Sequence, residues 1–146
     1  MTLFQQVFLG STTLVICALV HIALVALCIP YLFRLSHRLD HTRQSLRNIL
    51  LLSAGVGVIL LSHTAAIWIW TTLFVVLGAF DDFATSFYFA TVSYTTLGYG
   101  DLVLGPGIRT FATFAATTGL LTFGISTALL IGLLTRLLPD VFRDKS

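Results

Sequence analysis

Three long stretches with few or no charged residues divide the sequence. Residues 3–29 and 49–80 contain no Asp, Glu, Lys or Arg, and residues 108–138 contain only Arg109 and Arg136 near their two ends. About 20 apolar residues in a helix cross the hydrocarbon core of a bilayer. The pattern therefore predicts three transmembrane helices, the first within residues 1–30, the second within 49–80 and the third over 108–138.

The first stretch has a second interpretation, a cleaved signal peptide. It lacks the basic segment that precedes such a signal, and its apolar run is longer than a signal needs. We therefore favour a transmembrane helix, and Pro30 predicts a kink or an end there.

A polar segment, residues 31–48, follows and is predicted to be a loop. It carries four of the eight basic residues of the chain, namely Arg34, Arg38, Arg43 and Arg47. The positive-inside rule places this loop in the cytoplasm, which puts the N-terminus outside and the tail, residues 139–146, in the cytoplasm. One interpretation is a surface helix that lies on anionic lipid, and a pH response through His37 and His41 is a further hypothesis. A voltage sensor is disfavoured because these charges lie between the spans.

Composition agrees with a membrane as solvent. Of the 146 residues, 57% are hydrophobic and only 10% are charged, which is far from the balance of a soluble domain. The net charge of +2 and the absence of a basic, aromatic-interleaved patch in the sequence argue against nucleic-acid binding. The sequence contains no phosphate-binding loop and no nucleophile–base pattern, so we do not expect an enzyme.

A short apolar segment, residues 83–95, lies between the second and third spans. A helix of this length is too short to cross a bilayer, so we expect it to be re-entrant, with Asp81 or Asp82 capping its N-terminus. The segment that follows, residues 95–101, reads Thr-Thr-Leu-Gly-Tyr-Gly-Asp. It cannot extend the helix, because Gly98 and Gly100 flank its tyrosine.

This motif, the short helix before it and the spans on both sides resemble the pore domain of the potassium channel family. The resemblance covers roughly residues 50–135 and implies a pore helix over 83–95, a selectivity filter over 96–101 and an inner helix over 108–138. It also implies that K⁺ ions bind the backbone carbonyls of Thr96, Leu97, Gly98 and Tyr99, together with the Thr96 hydroxyl. Glycine tolerates the alternating backbone twist that turns consecutive carbonyls inward.

Residues beside the filter depart from the family pattern. The resemblance implies that Gly100, Asp101, Tyr88, Val92 and Thr95 support the filter. Leu97 stands where valine is usual, Tyr88 where tryptophan is usual and Val92 where some members carry a buried glutamate. We expect the Tyr88 hydroxyl to reach Asp101, and we expect these departures to affect the stability of the conducting state more than ion selectivity.

The third span carries residues that the resemblance assigns to the cavity and gate, namely Gly119, Leu120, Phe123 and Thr127. Leu120 and Thr127 are expected to face the cavity. Gly119 matches a hinge glycine, although glycine is equally common in membrane helices for close packing.

Two histidines, His21 and His63, fall near the middle of their spans. Ionisable residues at that depth are candidates for function. We favour neutral histidines that each donate one hydrogen bond to a neighbouring helix, with Ser62 and Thr64 supporting such a polar contact. Cys17 lies one turn before His21, but two ligands are too few for a metal site.

The sequence thus predicts an all-α membrane protein with three transmembrane helices, a re-entrant pore helix and a filter loop. It is expected to form a homotetramer in the cell membrane and to conduct K⁺ passively, with permeating K⁺ as its only cofactor. The additional first helix is expected to cover the pore helices. Two alternatives stay open: a weakly selective cation channel on the same fold, and a non-conducting accessory or sensor subunit.

Overall fold

The computed structural model describes residues 1–39 and 41–137, which form four helices and no strand. The helices are α1 (Leu3–Arg38), α2 (Gln44–Val76), α3 (Phe83–Tyr94) and α4 (Arg109–Leu137). Three of them, α1, α2 and α4, are long and apolar enough to cross a membrane. The predicted all-helical fold with three spans is therefore confirmed. The parts of these expectations that concern residues 40, 138 and the tail 139–146 lie outside the described residues.

Pro30 does not end the first helix, so the prediction of a separate loop over residues 31–48 is wrong. Helix α1 continues through Pro30 to Arg38, and α2 begins at Gln44, so only residues 39–43 connect them. Proline removes one backbone hydrogen bond, and the residues beyond it continue the helix. The turn closes at Leu39, whose N–H bonds to the carbonyls of Leu35 and Ser36, each at 3.1 Å.

Helix α1 buries small and polar side chains and exposes large apolar ones. Its buried stripe repeats every three or four residues along most of the helix and consists of Gln6, Gly10, Thr13, Cys17, His21 and Cys28. Leucine, isoleucine and phenylalanine side chains on its other faces are exposed. This arrangement suits a helix that meets protein on one side and lipid on the other. The buried stripe packs against α2 and α4.

Both ends of α4 are held by side chains from other helices. At its start, the Gln6 Oε1 atom accepts hydrogen bonds from the N–H groups of Thr110 at 3.0 Å and Phe111 at 3.3 Å. At its end, the Asn48 side-chain amide donates to the carbonyl of Leu137 at 3.0 Å. Helix termini leave N–H and C=O groups without intrahelical partners, and leaving them unpaired in a membrane protein is costly. These two contacts therefore fix α4 relative to α1 and α2.

A cluster of aromatic rings joins α2, α3 and α4. The ring centroids of Trp70 and Phe111 are 5.1 Å apart, and those of Phe74 and Phe89 are 5.2 Å apart in an edge-to-face arrangement. Trp70, Phe74 and Phe111 are fully buried. The short helix α3 is thereby seated on the two long helices that flank it in sequence.

Candidate functional site

The short helix α3 has a well-defined cap at each end. At its start, the Asp82 carboxylate accepts from the Thr85 hydroxyl at 2.6 Å and from the Thr85 N–H at 2.8 Å. These bonds to Thr85 lower the pKa of Asp82, so Asp82 is the capping residue of the predicted pair. The helix ends at Tyr94, with Thr95 as its C-cap. The negative end of the helix dipole therefore lies at the start of residues 96–101, which we call the filter segment.

The backbone of the filter segment is left-handed at every second residue. Thr96, Gly98 and Gly100 have φ angles of 59°, 52° and 79°, whereas φ is not positive at Leu97 and Tyr99 between them. In a regular extended segment, successive carbonyls point to opposite sides. When every second residue is left-handed, consecutive carbonyls point to the same side. The left-handed glycines are those that the sequence predicts. The left-handed threonine, a costly conformation for a β-branched residue, is not apparent from the sequence.

The filter segment directs its N–H groups back to α3. The N–H groups of Leu97 and Gly98 donate to the Val92 carbonyl at 3.0 and 3.3 Å, and the N–H of Thr96 donates to the Ser93 carbonyl at 3.0 Å. Within the described part of the chain, no hydrogen bond ends on the carbonyls of residues 96–99. These carbonyl oxygens thus remain available to a dehydrated cation.

The hydroxyl of Tyr88 donates to the Asp101 carboxylate at 2.7 Å, which is the contact that the sequence predicts. This bond to Asp101 raises the pKa of Tyr88. Val92 is buried and offers its backbone carbonyl, as described above. The C-terminal end of the filter segment is therefore tied to α3 by a tyrosine–aspartate pair.

Most of the predicted pore-lining residues are exposed in the single chain. Tyr99 is 68% exposed and Leu97 is 54% exposed, so the chain itself does not cover the filter segment. On α4, Leu120, Phe123 and Thr127 follow helical spacing along one face, and all three are exposed. The chain thus presents an uncovered surface made of the filter segment and one face of α4.

A protein family described as "Ion channel" matches residues 50–136, which is more than half of the chain. The chain belongs to this ion channel family. The match begins in α2 and includes α3, the filter segment and α4, so α1 lies outside it. No curated protein and no solved structure matches the chain.

Gly119 of the channel is a packing residue, and a hinge is not needed to explain it. A Cβ atom at this position would overlap the backbone carbonyl of Tyr94. Helix α4 runs without interruption from Arg109 to Leu137 through Gly119. Only glycine therefore allows α4 to approach the C-terminal end of α3 this closely.

The histidines contact residues that sequence reasoning missed. His63 hydrogen-bonds to Tyr94 and Ser126, and His21 hydrogen-bonds to Ser126. Ser62 and Thr64, expected to join helices, donate instead to carbonyls of their own helix at 2.8 Å. The favoured interpretation of one bond to a neighbouring helix is therefore correct for His21, whereas His63 makes two. The sequence signal for this missed partner of His63 is Tyr94, a polar residue at the end of the otherwise mainly apolar helix α3.

We expect Gly119→Ala to destabilise the channel, because the added methyl group must displace the Tyr94 backbone. Overpacking of this kind costs about 1–3 kcal/mol, which should lower the melting temperature of the protein in detergent. Gly57→Ala is the control, since nothing lies within 4 Å of a Cβ there and alanine favours helix. Equal melting temperatures for the two variants would contradict this role of Gly119.

We expect Tyr88→Phe to shorten the open time of the channel about fivefold, which corresponds to losing one hydrogen bond. The ring and its packing are kept, so only the bond to Asp101 is removed. Single-channel recording in a planar bilayer measures the dwell times. Tyr31→Phe is the control, because Tyr31 is exposed on α1, away from the filter segment. An open time equal to that of the control would show that the pair does not stabilise conduction.

Proposed function

We propose that four copies of this chain form a potassium-selective channel that conducts K⁺ passively across the cell membrane. One observation carries the proposal: the backbone alternates in hand over residues 96–100, and the carbonyls of residues 96–99 accept no hydrogen bond from the described residues. A row of free carbonyls on one side of a strand is the ligand set that replaces the water shell of K⁺. The ligands proposed are the carbonyls of Thr96, Leu97, Gly98 and Tyr99, with the Thr96 hydroxyl below them.

Helix α3 supports cation permeation. Its C-terminal end carries a partial negative charge equivalent to roughly half an elementary charge, directed towards the start of the filter segment. Four such ends around one axis would lower the electrostatic cost of a cation at membrane depth. The Asp101 carboxylates would add negative charge at the outer mouth.

The geometry of coordination supports the proposed tetramer. One strand offers a cation oxygens from one side only, so several chains must share the ion, and four around a symmetry axis complete the cage. The exposure of Tyr99, Leu97 and Leu120 in the single chain is what such an assembly would cover. We propose that Leu120, Phe123 and Thr127 line the cavity beneath the filter or the contacts between subunits.

The orientation in the membrane is proposed from the position of the basic residues. Gln6 lies near the N-terminus, and its side-chain amide donates a hydrogen bond of 3.2 Å to the carbonyl of Pro106, which follows the filter segment. At the opposite end of the bundle, the guanidinium of Arg136 lies 4.4 Å from the centroid of the Phe33 ring. Arg34 and Arg38 lie in the last turns of α1 at this same end. We place this basic end in the cytoplasm and the N-terminus outside.

Anionic lipid is the proposed partner of the basic end. Arg34, Arg38 and Arg43 are exposed there. Beside them, α1, α2 and α4 surround a recess of about 400 Å³ lined mainly by apolar side chains, with Arg136 among its lining residues. An acyl chain fits the apolar part, and a phosphate headgroup would meet the guanidinium groups.

We expect purified protein in liposomes to pass K⁺ and to exclude Na⁺, with a reversal potential close to the potassium equilibrium potential and block by Ba²⁺. Gly98→Ala should abolish the current, because its φ of 52° is costly for alanine. Gly57→Ala on the exposed side of α2 is the control and should conduct normally.

Each alternative has its own result in the same assay. A reversal potential midway between those of K⁺ and Na⁺ would favour a weakly selective cation channel. Intact tetramers that pass no ion would favour an accessory or sensor subunit. Either result would overturn the proposal of potassium selectivity.

We expect anionic lipid to bind the basic end and replacement of its arginines to weaken this binding. Each basic residue near an anionic surface contributes about 1 kcal/mol, so Arg34→Gln with Arg38→Gln should reduce binding to vesicles of phosphatidylglycerol at least tenfold. Flotation or native mass spectrometry measures the binding. Arg109→Gln, at the start of α4, is the control at the other end. Equal losses in both variants would contradict a specific lipid site at the basic end.

A further inference from the structure

A chain of buried hydrogen bonds joins all four helices behind the filter segment. Ser126 Oγ lies 3.1 Å from His21 Nε2 and 3.0 Å from His63 Nε2. His63 Nδ1 lies 2.8 Å from the Tyr94 hydroxyl, which lies 2.7 Å from Thr122 Oγ1. No member of this polar chain is more than 7% exposed. It begins on α1, which lies outside the region shared with the family, and reaches the last residue of α3.

The end at Thr122 favours one direction for these bonds. Its Oγ1 lies 2.8 Å from the Thr118 carbonyl and 3.1 Å from the Gly119 carbonyl. A carbonyl can only accept, so the single hydroxyl proton of Thr122 is donated to its own helix. Thr122 therefore accepts the proton of Tyr94, and the Tyr94 oxygen in turn accepts from His63 Nδ1–H.

The same reasoning assigns the tautomers of both histidines. A neutral His63 that is protonated at Nδ1 accepts at Nε2, so Ser126 donates its proton there. The Ser126 oxygen then accepts from His21, which must carry its proton on Nε2. The imidazole rings are 5.0 Å apart, so two positive charges would repel strongly in this interior. In the neutral state, His21 contributes a donor at Nε2 and every other member has one donor and one acceptor role, so these roles agree.

The polar chain is unsuited to carrying protons. At one end it closes on backbone carbonyls of α4, which cannot pass a proton on. At the other end, His21 Nδ1 is buried and has no partner among the described residues. These ends favour a positional role, in which each member fixes where its neighbour lies.

Tyr94 transmits that position to the filter segment. Its hydroxyl is held by His63 and Thr122, and its backbone carbonyl rests on α4 at Gly119. The covalent chain continues directly from Tyr94 through Thr95 to Thr96, the first left-handed residue. A shift of the tyrosine would therefore shift the start of the filter segment.

We propose that His21 of α1 is a positioning residue for ion conduction, holding the filter segment in its conducting conformation through Ser126, His63 and Tyr94. The proposal rests on the proposed function, since the quantity that His21 would control is the cation current through residues 96–101. It gives the additional helix a role in the pore besides covering it.

Paired substitutions at His21 test the proposal. His21→Leu removes the donor and keeps a side chain of similar bulk, whereas His21→Gln retains an N–H group that can reach Ser126. We expect His21→Leu to lower the open probability about fivefold, the factor that corresponds to losing one hydrogen bond, and His21→Gln to restore most of it. Ser62→Ala is the control, because Ser62 is buried beside His63 but bonds only to its own helix. Equal impairment in the Leu and Gln variants would overturn the proposal.

A double-mutant cycle separates positioning from general stability. Tyr94→Phe removes the hydroxyl through which His21 is proposed to act. In that background, His21→Leu should cause no further loss of open probability. Independent, multiplicative losses in the two variants would show that His21 does not act through Tyr94. Melting temperature and tetramer content, measured on the same samples, show whether a loss of current is only a loss of folded protein.

Nitrogen-15 spectra of the histidines test the bond directions without any ion current. We expect His21 to be protonated at Nε2 and His63 at Nδ1, with the Leu variant identifying the His21 signals. Protonation of His21 at Nδ1 or of His63 at Nε2 would overturn the assignment. If the wild-type channel conducts without potassium preference, the open-probability comparison still decides the role of His21. If it passes no ion at all, conduction and positioning are overturned together, while the spectra still decide the hydrogen-bond directions.

Discussion

The carbonyls of residues 96–99 accept no hydrogen bond from the described residues, and the surrounding contacts leave them free. An unpaired carbonyl in hydrocarbon is costly, so irregular backbone survives there only when it is enclosed by protein or lines an aqueous path. The segment cannot be stabilised by β-ladder hydrogen bonds to these carbonyls. Its N–H groups bond back to Val92 and Ser93 of α3, and the Tyr88–Asp101 pair holds its C-terminal end. Helix α3 therefore fixes both ends of a segment whose carbonyl acceptors stay open.

Lipid as the solvent explains why polar side chains provide so much of the packing specificity. Apolar helices in a bilayer gain little from the hydrophobic effect when they associate, so close contact and hydrogen bonds decide which faces meet. Helix α1 follows this rule by turning Gln6, Gly10, Thr13 and His21 inward. Three of these make distinct contacts with α4. Gln6 caps its start, and Gly10 admits the ring of Phe114, since a Cβ there would overlap it. His21 hydrogen-bonds to Ser126. The inward face of α1 is thus matched to α4 at particular positions.

Local patterns in the sequence predict most of the fold, because membrane spans and turn glycines depend on nearby residues. The three spans, the short helix and the left-handed glycines are all of this kind. The prediction that a loop begins after Pro30 is wrong because a proline removes only one backbone hydrogen bond. The other hydrogen bonds of a long apolar helix can compensate for that loss. The left-handed Thr96 and the approach of Gly119 to Tyr94 depend on the packing of distant segments. So does the contact of His63 with Ser126, which lies 63 positions further along the chain.

The polar chain from His21 to Thr122 can fix the register of α3 where apolar packing cannot. Apolar surfaces in lipid tolerate sliding, because a displaced side chain meets another apolar neighbour of similar kind. A hydrogen-bond chain with one consistent direction does not, because displacing any member leaves a buried donor or acceptor unpaired, at a cost of about 1–3 kcal/mol. The chain meets α3 at Tyr94, the residue whose backbone also touches Gly119. Resistance to sliding is therefore concentrated at the last turn before the filter segment, where a small displacement would move every carbonyl that follows.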